Sequence, residues 1–223
     1  KLGSANLDCR QDGVKLDPAL GRASYIFNAT IEGIEQADAL LIVGSNPRKE
    51  APVLNARILK RWRAGGFPVG VIGERVDLTY GHEYLGAGVE TLSDVAAGKG
   101  FGEVLANAKN PLVIVGQGAL TRADGLALLA LAVKIARPSA EWNGLCVLHT
   151  AAARVGGLDL GFVPGKGALN AEAMAAGGVD LLFNLGADEI EIAPGAFVVY
   201  IGSHGDRGAH RADVILPGAT YTE

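Results

Sequence analysis

The chain has 223 residues, a net charge of −4, 32 glycines and only 6% aromatic residues. A chain this long buries about 70% of its unfolded surface and needs no disulfide or metal staple. Its two cysteines, Cys9 and Cys146, fit a reducing compartment better than a disulfide framework. The acidic balance and the lack of a basic cluster argue against nucleic acid as a partner.

No apolar run reaches the roughly 18–20 residues of a membrane span, so direct membrane insertion is not expected. The opening Lys1-Leu2-Gly3-Ser4 shows no signal-peptide pattern and no Met, and the chain stops at Tyr221-Thr222-Glu223. These ends read as those of a fragment of a longer chain.

Short apolar runs alternate with helical patterns. Ala39–Val43 is a buried-strand candidate that ends at Gly44. Residues 50–64 place Leu54, Ile58 and Trp62 at four-residue spacing, which is one face of a helix, and Gly65-Gly66 stops it. Val69–Ile72 and Leu112–Val115 are strands, the second followed by Gly116-Gln117-Gly118 and an alanine–leucine helix over 124–136. Leu145–Leu148, Val179–Leu185, Phe197–Ile201 and Val214–Leu216 are further strands. Strands alternating with helices of this length predict parallel β-α-β units. Their uniformly apolar character predicts burial on both faces.

Residues 37–52 (ADALLIVGSNPRKEAP) and 179–194 (VDLLFNLGADEIEIAP) align without gaps. Asp38/Asp180, Leu40/Leu182, Gly44/Gly186, Ala51/Ala193 and Pro52/Pro194 are identical. Either any two buried strands look this similar, or the chain holds two related nucleotide-fold halves. In the second case the turns at Gly44–Pro47 and Gly186–Glu189 are expected to face one crevice bordered by Gly116–Gly118, where open α/β sheets bind ligands.

Most chemical motifs fail on inspection. Gly116-Gln117-Gly118-Ala119-Leu120-Thr121 approaches G-x-G-x-x-G, but Thr121 replaces the third glycine and the following strand ends Leu148-His149-Thr150 with no acid for a ribose. Gly161–Gly167 (GFVPGKG) has three residues between its first two glycines, not four, and no hydroxyl after Lys166, so it is no phosphate loop. His82, His149, His204 and His210 lack zinc-motif spacing. The His204, Asp206, His210 and Asp213 group reads as loop polarity before metal chemistry. Cys9 stands between Asp8 and Arg10, and Cys146 lies in an apolar run. No G-x-S-x-G elbow occurs.

Three segments resemble the molybdopterin oxidoreductase superfamily. They are Ala37–Pro52 with its Gly44-Ser45-Asn46-Pro47 turn, Gly186-Ala187-Asp188-Glu189, and the run Ala212-Asp213-Val214-Ile215-Leu216-Pro217-Gly218-Ala219-Thr220-Tyr221-Thr222-Glu223. Within that superfamily, Ala5-Asn6-Leu7-Asp8-Cys9-Arg10-Gln11-Asp12-Gly13 is similar to the large iron–sulfur subunits of respiratory NADH–quinone oxidoreductase, complex I. The resemblance implies two Rossmann-like, doubly wound α/β subdomains with mostly parallel sheets. We expect them at 25–107 and 108–223, with 1–24 packed on the second.

The departures bear on chemistry. Cys9 is followed by Arg10 and Gln11, where the active enzymes usually carry a histidine directly after their metal-binding residue. Gly73-Glu74-Arg75 replaces Asp-Pro-Arg, and Glu189 replaces the proline of the second turn. The resemblance therefore implies a non-catalytic scaffold of an enzyme complex that carries electrons from NADH toward quinone. The fragment is expected to be inactive alone and to hold no catalytic residue, metal or cofactor. Gly44, Ser45, Asn46, Gly116, Gly118, Gly186 and Asp188 would mark a vestigial cleft.

The 2Fe–2S and 4Fe–4S clusters of the full subunit would lie upstream of Lys1. The partners would be other complex I subunits. The location would be the peripheral arm on the cytoplasmic or mitochondrial-matrix side of the energy-transducing membrane. Two alternatives remain: a cofactor-binding fragment of an active molybdopterin oxidoreductase, and the central domain of a thiamine-diphosphate enzyme, whose opening Pro111–Gly118 resembles.

Overall fold

The computed structural model describes residues 3–205, 207–220 and 222. The chain divides into a larger unit, Val14–Val155, and a smaller one made of Lys1–Gly13 with Gly156–Glu223.

The larger unit holds a five-stranded parallel sheet. Its strands are β1 (Ala39–Val43), β2 (Val69–Ile72), β3 (Glu83–Gly86), β4 (Pro111–Val115) and β5 (Leu145–Val147), in the order β3-β2-β1-β4-β5. Every residue of β1, β4 and β5 is buried, as a two-faced core strand requires. β1 pairs in register with both neighbours, Leu40 beside Val69 on one side and Leu112 on the other.

Two helical layers cover this sheet. The Pro52–Arg63 helix presents Leu54 and Ile58 to Leu40, Ile42, Val69, Val71, Leu112 and Ile114. Trp62, expected on the same face, is 37% exposed and lies against Gly81, where an added Cβ would stand 3.2 Å from its ring. Burial of Ile58 alone contributes about 2 kcal/mol. The helices Val89–Ala96, Phe101–Asn107 and Gly125–Ala136 bury Leu92, Val95, Phe101, Leu105, Leu128 and Leu129.

The expected boundary at 107/108 is corrected by this sheet. β4 and β5 pair in continuation of β1, so residues 108–155 belong with the first strands. Likewise Val14–Ser24 belong to the larger unit, while residues 3–13 cluster with the smaller one. The hydrophobic period identified β4 but carried no information about which edge it joins.

The smaller unit contains β6 (Leu181–Leu185), β7 (Phe197–Gly202) and β8 (Val214–Pro217), parallel and in that order. The expected two-faced burial fails here. β6 alternates between exposed and more buried residues, and all four residues of β8 are exposed. β3 and the helices at Val89–Ala96 and Phe101–Asn107 have no clear signature in the sequence. Their windows are short and polar residues interrupt them.

A polar pair sits within the first helical layer. Asn55 is 5% exposed; its Nδ2 donates to Leu78 O at 3.2 Å, and its Oδ1 accepts from the Tyr80 hydroxyl at 2.9 Å. Burial raises the Tyr80 pKa above the ordinary tyrosine range. Tyr80→Phe leaves Asn55 Oδ1 buried without this donor, so denaturant unfolding should show a loss of about 1–2 kcal/mol. The raised value adds a pH signature. The neutral phenol's contribution is complete below pH 10 and falls as pH rises beyond it, a decline that Tyr80→Phe should reduce.

Candidate functional site

The strand order reverses between β1 and β4, which opens a crevice at their C-terminal ends. Two glycine turns meet there. Gly44 closes β1 at φ +60° and donates its N–H to Ile72 O at 2.9 Å. Gly116 N donates to Val43 O at 2.9 Å, and Gly118 N to Gly44 O at 3.0 Å. A Cβ on Gly44 would stand 2.4 Å from Ala119 N, and one on Gly116 would stand 2.5 Å from Ser45 Cβ. The glycines are therefore required by turn packed on turn, beyond the helix-on-strand packing that the G-x-G spacing suggests.

Gly44, Ser45, Asn46 and Gly118 line a hollow of about 490 Å³ together with Glu50, Gly73, Glu74 and Tyr84. A smaller hollow of about 70 Å³ adjoins it and shares Gly44, Gly73 and Gly118. Arg122 lines the smaller one but pairs with Asp124 at 2.7 Å. Arg75 stacks over Tyr84, 4.0 Å from the ring centroid.

Glu50 decides what the larger hollow can hold. Its carboxylate accepts from Ser45 Oγ at 2.9 Å and from Asn46 N at 2.5 Å. These are the donors that a phosphate would take at such a turn. Glu74 adds a second carboxylate to the lining. A pyrophosphate-bearing cofactor therefore does not fit this turn: its donors are taken and two negative charges oppose it. Sequence spacing gives no sign of Glu50, because Ser45 and Glu50 are five residues apart and match no capping box.

Gly186 and Asp188 belong to the smaller unit. Gly186 ends β6 at φ +63°, as Gly44 ends β1. Asn184 Nδ2 donates to Ala187 O at 2.9 Å, and the Tyr200 hydroxyl donates to Asp188 Oδ1 at 2.6 Å. Of this turn's own donors, Ala187 N donates to Asn184 Oδ1 at 3.2 Å.

The other candidates are dispersed. Among the described residues no group of three or more His, Cys, Asp or Glu is arranged to hold a metal. His204 Nδ1 lies 2.9 Å from Ser203 Oγ, and Asp213 accepts from Val198 N at 2.8 Å, while Asp206 lies outside the described residues. His82 Nδ1 and His149 Nε2 lie 3.2 and 2.6 Å from the carbonyl oxygens of Tyr80 and Tyr25. Arg10 directs its guanidinium to Asp8 at 2.8 Å. Cys146 is fully buried in β5, and burial pushes its thiol up to about 12.

The molybdopterin oxidoreductase family pattern matches residues 1–223, and the chain belongs to that family. Within it the chain is 43% identical over 230 residues to an NADH-quinone oxidoreductase subunit of Rickettsia bellii, covering 100% of this chain and 33% of that protein. It is 42% identical over 231 residues to the mitochondrial NADH dehydrogenase (ubiquinone) iron–sulfur protein 1 of Solanum tuberosum, covering 100% and 30%. It is 42% identical over 235 residues to the mitochondrial NADH-ubiquinone oxidoreductase 78 kDa subunit of Neurospora crassa, covering 100% and 31%. The chain thus spans about a third of the length of these relatives. In fold it is similar to a crystal structure of the formyltransferase/hydrolase complex from Methylorubrum extorquens with methylofuran. The TM-score is 0.56 at 19% identity, over 93% of this chain and 73% of that one.

Gly44→Ala should cost about 3 kcal/mol or more in denaturant unfolding, since it combines a left-handed backbone with a backbone clash. Cys146 should react with iodoacetamide at pH 8 only as fast as the protein unfolds. Its thiol is raised from 9.0 to about 12, so the neutral form is stabilising below pH 9 and that contribution is lost as pH climbs toward 12.

Proposed function

We propose that this chain is a non-catalytic scaffold region of the large iron–sulfur subunit of an NADH–quinone oxidoreductase. The observation that carries the reading is identity of 42–43% across the whole chain to three subunits of such oxidoreductases. The plugged turn at Ser45–Glu50 supports the non-catalytic part, because it removes the phosphate donors that a nucleotide-bearing cofactor needs. Electrons from NADH toward quinone would pass through 2Fe–2S and 4Fe–4S clusters held elsewhere in the polypeptide. Other subunits of the complex would be its partners, on the peripheral arm facing cytoplasm or matrix. In this reading the turns of Gly44, Ser45, Asn46, Gly116 and Gly118 in the larger unit, and of Gly186 and Asp188 in the smaller one, would each be a vestige of an ancestral binding turn without its ligand.

Asn46→Ala is the direct test in the assembled complex. The substitution removes a side chain whose buried Oδ1 makes no hydrogen bond, so stability should change by no more than about 1–2 kcal/mol. NADH–quinone turnover should match the unsubstituted complex. Loss of turnover in a fully assembled variant would show that the cleft is used.

A further inference from the structure

The larger hollow beside the Gly44 and Gly118 turns is one-sided in its hydrogen bonding. Its donors are spent within the chain. Gly44 N, Gly73 N and Gly118 N bond to the carbonyl oxygens of Ile72, Gly86 and Gly44, and the Tyr84 hydroxyl donates to Gly73 O at 3.1 Å. Ser45 Oγ and Asn46 N go to Glu50. What remains is acceptors. An ionised carboxylate offers about four lone-pair sites. Glu50 has two engaged, and Glu74 has none engaged among the described residues. Asn46, in the same lining, keeps its Oδ1 buried without a hydrogen bond.

The charge is one-sided as well. Among the described residues the lining holds two glutamates and no lysine, arginine or histidine. The arginines nearest in sequence are committed elsewhere. Arg48 pairs with Asp77, and Arg75 lies over the Tyr84 ring. Arg122, in the adjoining small hollow, pairs with Asp124 at 2.7 Å. Glu50 and Glu74 therefore line the hollow without a counter-charge.

This inventory selects a guest. An anion is repelled, and an apolar guest leaves the acceptors unpaired. A cation made only of donors matches, which in protein chemistry means an ammonium or a guanidinium. Shape separates the two. A guanidinium is planar, stacks on an aromatic ring and presents its donors as a fork to a carboxylate, whereas an ammonium is a compact point charge. The wall includes the Tyr84 ring, which already holds one guanidinium, that of Arg75, 4.0 Å from its centroid. Arg75 itself is not among the lining residues, so the seat stays open.

We propose that this hollow is a guanidinium seat, with Glu50 and Glu74 as counter-charges and Tyr84 as the stacking wall. Its volume of about 490 Å³ falls within the range of small-ligand sites, roughly 300–1,000 Å³, so a guanidinium on an alkyl tail has room. The group reaches the seat either on a diffusible alkylguanidine or on an arginine side chain from elsewhere in the assembled complex. The inference rests on the hollow alone and not on the electron-transfer reading, and its readout is binding, not turnover.

The probe is labelled agmatine, measured by equilibrium dialysis against the full-length polypeptide and against the assembled complex. Putrescine, the corresponding diamine, is the ammonium control. The free polypeptide should bind agmatine saturably with a Kd of about 1 mM or below, and putrescine at least about 5-fold more weakly. Glu74→Gln and Glu50→Gln should each weaken agmatine binding about 10-fold, the size of one charge-assisted contact. Both glutamates are exposed, so the fold should survive, which circular dichroism checks. Binding to the complex as well identifies a diffusible ligand. Binding to the free polypeptide alone identifies an arginine supplied on assembly. No saturable binding to the free polypeptide below about 10 mM would overturn the proposal. Equal affinity for putrescine, or unchanged affinity in either variant, would do the same.

Discussion

The backbone contact between the turns after β1 and β4 is the constraint on which the larger unit depends. Gly118 N donates to Gly44 O at 3.0 Å, with no side chain between them. A parallel sheet that reverses its strand order normally splays apart at that point, and the gap becomes a binding crevice. Here the gap is narrowed to the distance of one hydrogen bond. Ser45 and Asn46, next along the chain, line the hollow beside this contact. The closeness also explains why three glycines lie within contact of one another in a region otherwise filled by aliphatic side chains.

The chemistry of the hollow follows from a second local interaction. A turn of this kind offers unpaired donors, which makes it an anion seat by default. Glu50, one helical turn onward, brings its carboxylate back onto those donors and satisfies them from within the chain. The fold of an oxidoreductase family is thereby retained while the phosphate-binding capacity of its first turn is spent on an internal contact. In the second turn one donor is taken in the same way, Ala187 N donating to Asn184 Oδ1, while the Tyr200 hydroxyl donates to Asp188. Family membership and retained cofactor chemistry are therefore separate questions in this chain.

The two sheets also differ in completeness. In the larger unit every strand between the edges is covered on both faces, which is the usual condition of parallel sheets. The smaller unit has the same strand direction and the same turn at its first strand, yet one face presents leucine and phenylalanine to solvent.

Much of the larger unit's central sheet was legible in the residues. Ala39–Val43, Val69–Ile72 and Leu112–Val115 are apolar at every position but one glycine, are each followed by glycine and are separated by helix-length segments, so period and punctuation alone specify parallel strands. The Gly44 and Gly116 turns were legible for the same reason. Strand order was not, because the pairing of β1 with β4 joins residues some 70 positions apart and leaves no mark in either segment; this is why a boundary drawn at 107/108 cut through one sheet. Nor was the role of Glu50, since a glutamate in a helix's first turn reads as solvated charge until the turn's donors are seen to point at it. Sequence by itself determined which segments are strands and where they turn. Tertiary structure alone decided which edges meet and which donors are taken, because both depend on distances between residues that the chain brings together only by folding.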